Sequence, residues 1–316
     1  MNVNVNHNFN AKDPLVSVLM PVFNGERYLR EAIESMLSQT YPHFELIILN
    51  DGSSDHSQSI LDSYTDERIR LLKHNTNQGL TTSRNELVAA ARGKYIAFLD
   101  CDDIALPDRL ALQVEHMEHN TVDILGADHF TLYQSTGRIK RSKQSYSDPD
   151  IRALLCICSP LCNPAVMGIA KVFKEHPYKP DTEVAEDYAL WQELALTGYR
   201  FANLKSVAIY YRVHATQISQ ASTERNQVLF SLLQKRYLDG LGIDCADAPR
   251  ALPWKTRIRT APRFMGELNK KINGISIGVN YQIYARFQYR NNGLLTPLTR
   301  LERLLMSLIA SWSGRL

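Results

Sequence analysis

Long hydrophobic runs are missing from this sequence. No stretch of its 316 residues reaches the roughly 18 apolar residues of a spanning helix, which excludes a helical membrane span. No charged segment followed by an apolar one opens the chain, so no secretory leader is expected. Cysteine is scarce: five in a chain of this length do not build a disulfide framework, and a reducing, cytoplasmic setting follows. Cys156, Cys158 and Cys162 lie close together, but no second CxxC or HxxxH half accompanies them. They read as a zinc site only weakly and equally well as a buried apolar segment. Internal repeats are also absent.

What is present is an ordinary globular balance, 44% apolar and 22% charged, enough for a sizeable core. The net charge of +3 conceals an asymmetry. From Ala248 onward twelve Lys/Arg face two acids, so that region carries +10 and everything before it −7. Two such parts face different partners.

Residues 1–12 are Asn-rich and aperiodic and read as a loose, disordered tail. An alternation then begins. Val16–Met20 reads as a buried strand, and Phe44–Leu49, Ile69–Leu72 and Tyr95–Leu99 as further strands. Between them, helices are predicted over Tyr28–Leu37 with Asn24 as cap, over Ser59–Tyr64, and over Leu80–Ala91. Such βαβ units imply a mostly parallel sheet, whose ligands sit beyond the carboxyl ends of the strands. Pro21–Glu26, Asn50–Asp55 and Asp100–Asp103 fall on that edge. Further on, Pro107 is expected to start a helix, Asp187–Leu196 to form another, and Phe201–Tyr211 to form a strand leading to Arg212-Val213-His214.

Asp100-x-Asp102 at a strand end suits a hard cation such as Mg²⁺ or Mn²⁺, although acidic turns after strands are common. Asp51 could hold a nucleotide base or ribose, or could simply belong to a strand-to-helix turn with Gly52. Glu186-Asp187 opens a helix, where the macrodipole alone favours carboxylates. His214 reads equally as a packed loop histidine, and Trp191 as an acceptor platform or as helix core. Leu301, Leu304, Leu305, Leu308, Ile309 and Trp312 share one helical face beside Arg300, Arg303 and Arg315. That face can meet an anionic membrane or pack on protein.

Taken in order, Pro21-Val22-Phe23-Asn24, Tyr28-Leu29-x-x-Ala32-Ile33-x-Ser35, Gln39-Thr40-Tyr41, Asp51-Gly52-Ser53-x-Asp55, Asn77-x-Gly79-Leu80, Arg84-Asn85 and Phe98-Leu99-Asp100-x-Asp102-Asp103 form a series. Glu186-Asp187 and Tyr211-Arg212-x-His214 extend it. The series resembles family 2 glycosyltransferases. The resemblance implies the GT-A fold: α/β, a doubly wound mostly parallel sheet with helices on both faces, here with a helical, basic C-terminal extension. It implies a catalytic domain over 13–222, with a nucleotide-binding half (13–105) and an acceptor half (106–222), followed by the basic region 223–316.

The resemblance further implies a donor site of Pro21, Phe23, Asn24, Glu26, Asp51, Asn77, Gly79, Arg84, Asp100, Cys101 and Asp102. Asp102 and His214 would hold Mn²⁺ or Mg²⁺, Glu186 and Trp191 would meet the acceptor, and Asp187 would be the base. The departures from the family pattern are Asn50 and Phe23 in place of the commoner Asp and Tyr. Trp191-Gln192 replaces an Arg-Trp pair, which counts against a processive synthase. The implied activity is inverting transfer of a sugar from a nucleoside-diphosphate sugar, UDP-linked by expectation, to a saccharide or lipid-linked saccharide in surface-polysaccharide assembly. It would take place at the inner face of the cell membrane.

The chemistry suits these residues independently of the resemblance. A metal stabilises a diphosphate leaving group, and a carboxylate on the opposite face deprotonates the incoming hydroxyl. A nucleotidyl- or phosphoryl-transferring enzyme would instead call for a Gly- or Lys-rich phosphate loop, and Pro21–Glu26 has one Gly and no Lys. A non-catalytic, membrane-associated nucleotide-sugar-binding protein would be expected to lack Asp102 or Asp187, and both are present. No stacking platform or recognition helix accompanies the basic charge, which argues against nucleic acid. An oligomer stays open.

Overall fold

In the computed structural model, the described residues are 13–215, 217, 224–243, 264–276, 278–280 and 282–283. The predicted tail over 1–12 and the amphipathic face over 301–312 lie outside them.

The amino-terminal alternation folds as its periodicity dictates. It runs β1 (Val16–Val22), α1 (Leu29–Leu37), β2 (Phe44–Asp51), α2 (Ser57–Asp62), β3 (Ile69–His74), α3 (Leu80–Ala90) and β4 (Tyr95–Phe98). All four strands are parallel, paired β3 to β2, β2 to β1 and β1 to β4. Val16, Val18 and Met20 of β1 pack with Leu46 and Ile48 of β2 and with Leu29, Ile33 and Met36 of α1. Their alternates Leu19, Ile47 and Ile96 are equally buried, and α3 lies against β1 and β2. Burial on both faces explains the unbroken apolar runs. Each such side chain contributes about 1.5–3 kcal/mol.

After β4 come β5 (Ile104–Ala105), α4 (Arg109–His119), β6 (Ile124–Tyr133), β7 (Arg138–Ser142), α5 (Asp148–Leu154), β8 (Met167–Ile169), α6 (Ala170–Glu175), α7 (Glu186–Leu196), β9 (Phe201–Val213) and α8 (Glu224–Gly240). The sheet order is β3-β2-β1-β4-β8-β6-β9-β5, with β7 on β6. β8 runs antiparallel to β4 and to β6, while β6 and β9 are parallel. Leu110, Val114 and Met117 of α4 join the core on the α1 face, as their spacing predicts.

Two local expectations need correction. Asn24 does not cap α1: that helix starts at Leu29 with Tyr28 as N-cap and no side-chain cap. Instead the Gly25 carbonyl accepts from the N–H groups of Tyr28 and Leu29, and Asn24 turns to a neighbouring loop. Helix α4 begins at Arg109, because the Pro107 carbonyl accepts from the Thr40 N–H at 2.9 Å and so points away from a helix axis.

The chain divides into two compact units. One holds the whole sheet and comprises 1–144, 161–190 and 199–221. The other comprises 145–160, 191–198 and the residues from 222 onward. Within the second, Gln192 and Gln234 donate to the carbonyls of Leu155 and Ile157, and the Tyr237 hydroxyl donates to the Arg152 carbonyl. Trp191 of that unit is wholly buried. Among the described residues no helix is long and apolar enough to cross a membrane.

Candidate active site

Parallel strands that end side by side bring their following loops together. Val22 lies opposite Asn50, so the loops after β1 and β2 leave the sheet as neighbours. They are zipped reciprocally. Asn24 N donates to Ser53 Oγ at 3.0 Å, and Asn24 Oδ1 accepts from Ser54 N at 2.9 Å. Gly25 N donates to Ser57 Oγ, Glu26 N to Asp55 Oδ2, and His56 N to Glu26 Oε2, each at 2.9 Å. The first loop takes this shape because Asn24 accepts a φ of 51°, in the left-handed region that asparagine tolerates. Phe23 stays half exposed at the loop's start.

The Asp51 carboxylate, at the end of β2, is buried and faces inward along the rim. Its Oδ1 accepts from Gln78 N at 2.8 Å and lies 2.7 Å from His74 Nδ1, and its Oδ2 accepts from Gly79 N at 3.0 Å. Asn77 Oδ1 meets the same Gly79 N–H. His74 Nε2 is 2.7 Å from Glu86 Oε2, making a carboxylate–imidazole–carboxylate chain. Its bond to Asp51 first, and that to Glu86 second, raise the His74 pKa above the ordinary histidine value. Gly52 sits at φ +66° with the Thr76 backbone pressed against it; a Cβ there would be 2.5 Å from the Thr76 carbonyl carbon.

Beyond β4 the chain turns through Asp100-Cys101-Asp102-Asp103, closed by Asp103 N donating to the Asp100 carbonyl. Cys101 connects this turn to the first loop, its Sγ lying where a Cβ on Gly25 would be 3.1 Å away. One carboxylate oxygen from each of Asp100, Asp102 and Asp103 falls within 4.8 Å of the others. Burial, and next the neighbouring Asp102, push the Asp103 carboxyl well above the carboxylate range. Burial also lifts Asp100, with Arg84 opposing.

Two arginines hold the turn from opposite sides. Arg212 of β9 donates its backbone N–H to Asp103 Oδ1 at 2.8 Å and its Nε to the Asp102 carbonyl at 2.7 Å. Its two terminal nitrogens reach Gln134 Oε1 at 2.8 Å and Glu31 Oε2 at 2.5 Å, and its guanidinium lies 4.4 Å from the Tyr28 ring centroid. Two residues on, His214 Nε2 is 2.8 Å from Asp102 Oδ2, with its ring 5.0 Å from that of Tyr28. Arg84 of α3, almost wholly buried, pairs with Glu186 and reaches Asp100 Oδ1 at 3.3 Å.

Glu186 and Asp187 open α7. Val184, just upstream, holds φ +81°, which is strained for a β-branched residue. Burial, and next the charge of Glu186, push the Asp187 carboxyl up to about 7, with Arg84 opposing. A carboxylate so shifted is poised to accept a proton near neutral pH.

The sequence-predicted residues thus meet along one rim. Asn24, Glu26 and the Asn50–Asp55 loop interlock, and Asp51, Asn77 and Gly79 form one turn. Arg84 joins Glu186 to Asp100, and His214 meets Asp102, whose carboxylate lies within 4.8 Å of that of Asp100. Trp191 belongs to the second unit. Sequence reasoning assigned no role to Tyr28, Glu31, His74, Asp103 or Arg212. Tyr28, Asp103 and Arg212 stood within quoted motifs without a role; Glu31 and His74 carry no local signal.

The carboxylate trio can hold a hard divalent cation, since three oxygens and one imidazole match the ligands such ions take. Asp102 and His214 suit this best, because Asp103 Oδ1 already accepts from Arg212 N and Asp100 already faces Arg84.

Comparison with known proteins agrees with this geometry. The model of "Glycosyl transferase family 2" matches residues 17–176. An uncharacterized glycosyltransferase of Haemophilus influenzae is 32% identical over 255 residues, covering 73% of this chain and 76% of that protein. WfaP of Escherichia coli, named a UDP-Glc:alpha-D-GlcNAc-diphosphoundecaprenol beta-1,3-glucosyltransferase, is 31% identical over 236 residues, covering 72% of this chain and 87% of WfaP. Among solved structures, S. aureus TarS 1-349 in complex with UDP-GlcNAc aligns with a TM-score of 0.59 at 14% identity, covering 95% of this chain and 90% of TarS 1-349. The Pyrobaculum calidifontis mannosyltransferase PcManGT, in complex with GDP-Man and Mn²⁺, aligns with a TM-score of 0.53 at 15% identity, covering 96% of this chain and 74% of its own.

Proposed function

The chain belongs to glycosyl transferase family 2, and from that premise we propose that it transfers a hexosyl or N-acetylhexosaminyl group from a UDP-sugar to a saccharide or lipid-linked saccharide. The transfer inverts the anomeric configuration and contributes to surface-polysaccharide assembly at the cytoplasmic face of the membrane. The observation that carries this reading is the linkage of the Asp100–Asp103 turn to Glu186-Asp187 through Arg84. The name of WfaP supports the donor and acceptor classes, and the TarS complex supports a uridine nucleotide.

Asp102 and His214 would hold a divalent cation, Mn²⁺ or Mg²⁺. When bound, it supplies Lewis-acid stabilisation to the diphosphate leaving group. Phe23 presents a ring face to the nucleobase beside Pro21, while Asp51 keeps the Asn77–Gly79 turn in place beneath it. Arg84 neutralises Asp100 and Glu186, so that the acidic rim accepts an anionic donor.

Asp187 takes the proton from the acceptor hydroxyl. That oxygen then bonds to the anomeric carbon as the bond to the diphosphate oxygen breaks on the opposite face. The pKa near 7 leaves a large fraction of Asp187 ionised at neutral pH while keeping it basic enough to take the proton. Glu186 shapes this basicity by like-charge repulsion and orients through Arg84.

The test is release of free UDP from UDP-sugars, with and without Mn²⁺ and acceptor. No metal-dependent release from any nucleotide sugar would overturn the proposal. Near-normal turnover by Asp187→Ala would remove the base from it.

A further inference from the structure

The hairpin of β6 and β7 is chemically unlike the unit that holds it. No Asp or Glu stands between Asp128 and Asp148, whereas Arg138, Lys140, Arg141 and Lys143 all fall there. This +4 segment belongs to the part of the chain that carries −7 as a whole. Arg141 is engaged by the buried Asp128, with its Nη2 2.9 Å from Oδ2. Arg138, Lys140 and Lys143 are exposed, and among the described residues none of them has an acidic partner. Ile139, in their midst, is 53% exposed. β7 pairs with β6 alone, so among the described residues no strand covers its other edge. Lysine on a bare edge discourages pairing with a second sheet, but that purpose does not call for an exposed isoleucine. Basic side chains around one apolar residue suit a surface that is anionic outside and apolar beneath.

Strand register places this hairpin at the rim of the candidate active site. β6 runs parallel to β9, so both strands end at the same end of the sheet. Tyr133 lies opposite Val213 on one side of β6 and opposite Arg138 on the other. Arg138 is therefore two strand spacings, about 10 Å, from the residue that precedes His214. Gln134 begins the turn. Its N–H donates to the Val213 carbonyl at 3.0 Å, and its Oε1 accepts from Arg212 at 2.8 Å. Ile139 shares a rung with Leu132 and Arg212. The basic strand is thus tied, through Arg212, to the Asp102–Asp103 turn.

An acceptor carried on a lipid reaches the rim only if the rim faces the bilayer. We propose that the β6–β7 hairpin docks on the anionic headgroups of a membrane. Arg138, Lys140 and Lys143 meet lipid phosphates, and Ile139 enters the apolar boundary beneath them. Three cations on one exposed strand complement a plane of phosphates, and their attraction adds with each charge. Docked in this way, the hairpin turns the rim toward the membrane. The benefit to the acceptor rests on the transferase reading above, while the docking is measured without any turnover.

Cosedimentation of the full chain with vesicles tests this, comparing phosphatidylcholine alone with phosphatidylcholine mixed with phosphatidylglycerol. The wild type is expected to bind the anionic vesicles and to leave them in high salt. Arg138→Gln, Lys140→Gln and Lys143→Gln together are expected to lower the partition coefficient roughly 100-fold, about fivefold per charge. Ile139→Ser lowers it without touching a charge, and serves as the second reading should the triple variant melt lower than wild type. The control neutralises Arg92, Lys94 and Lys171, exposed residues where β4 begins, at the opposite end of that strand from the site. It changes the net charge equally and is expected to have little effect. Equal partition of the wild type and the triple variant overturns the inference. So does an equal loss in the control, which marks net charge alone. A triple variant that self-associates yet still binds vesicles marks a guarded sheet edge and overturns it too. Binding through the hairpin with no turnover of any nucleotide sugar leaves the docking and sinks the transferase reading, whereas sugar transfer by a wild type that ignores anionic vesicles defeats only the docking.

Discussion

His214 Nε2 stands 2.8 Å from Asp102 Oδ2 across 112 residues of chain. The pair exists because β9 carries Arg212, whose backbone N–H holds Asp103, two residues before His214. The half of the site proposed to hold a metal is thus a product of how β9 meets the β4 turn.

Removing either partner separates metal from fold. Asp102→Asn is expected to abolish Mn²⁺-dependent UDP release. His214→Ala raises the Mn²⁺ concentration for half-maximal rate roughly 10- to 100-fold. A metal titration of initial rates checks both, and an unchanged Mn²⁺ requirement in His214→Ala would exclude it as a ligand.

Asp187, the proposed base, is expected to govern the pH profile. Its carboxyl, pushed up to about 7, must be ionised to act, so kcat is expected to climb through that pH and level off above it. Asp187→Asn loses about 10²- to 10⁴-fold in kcat with little change in UDP affinity. The same shift carries a stability cost. A carboxyl with a raised folded-state pKa prefers its proton in the folded protein, so stability declines as pH rises from the ordinary carboxylate value toward 7. Asp187→Asn is therefore expected to melt about 2–4 °C higher than wild type at pH 8, read by calorimetry.

His74 carries the opposite dependence. Protonated, it donates to Asp51 and Glu86 together; neutral, it has one N–H for two carboxylates. Because its pKa is raised by Asp51 and then Glu86, the support is fully present below the ordinary histidine value. It is lost as pH rises through the raised one. The donor KM is expected to increase at alkaline pH. His74→Gln, which keeps one donor, flattens that rise while kcat holds; a KM profile identical to wild type would remove His74 from the site.

Arg212 is the mechanical test. Arg212→Met keeps apolar contact with Tyr28 but abandons the Asp102 carbonyl, Gln134 and Glu31. Urea unfolding is expected to show a loss of about 2–4 kcal/mol, most of it from buried groups left unpaired.

Gly52→Ala probes the turn below Asp51. Its φ of +66° and the Thr76 carbonyl carbon 2.5 Å from any Cβ leave no room for a methyl group. A loss of at least about 1–3 kcal/mol is expected, with a raised donor KM. Thermal melts and donor titrations read the two effects separately.

Much of this was legible from local pattern. Apolar runs set β1, β2, β3 and β4, and their order placed Asn24, Asp51 and Asp100 on one edge, since parallel strands present their carboxyl ends together. The middle of the chain was less legible. β8 has three residues, and β6 carries the buried Asp128 and His129, which break its apolar reading. Arg141 and Gln144 N meet Asp128 there, a pairing with no local signature.

Local sequence therefore determined which residues reach the rim, because strand and helix periods depend on near neighbours alone. Tertiary structure decided what those residues do there. Arg84 finds Glu186 across 102 residues, and Asp51 turns to His74. Each outcome depends on the register in which distant strands and helices pack, and hydrogen bonds, being short-ranged and directional, are made or missed by that register.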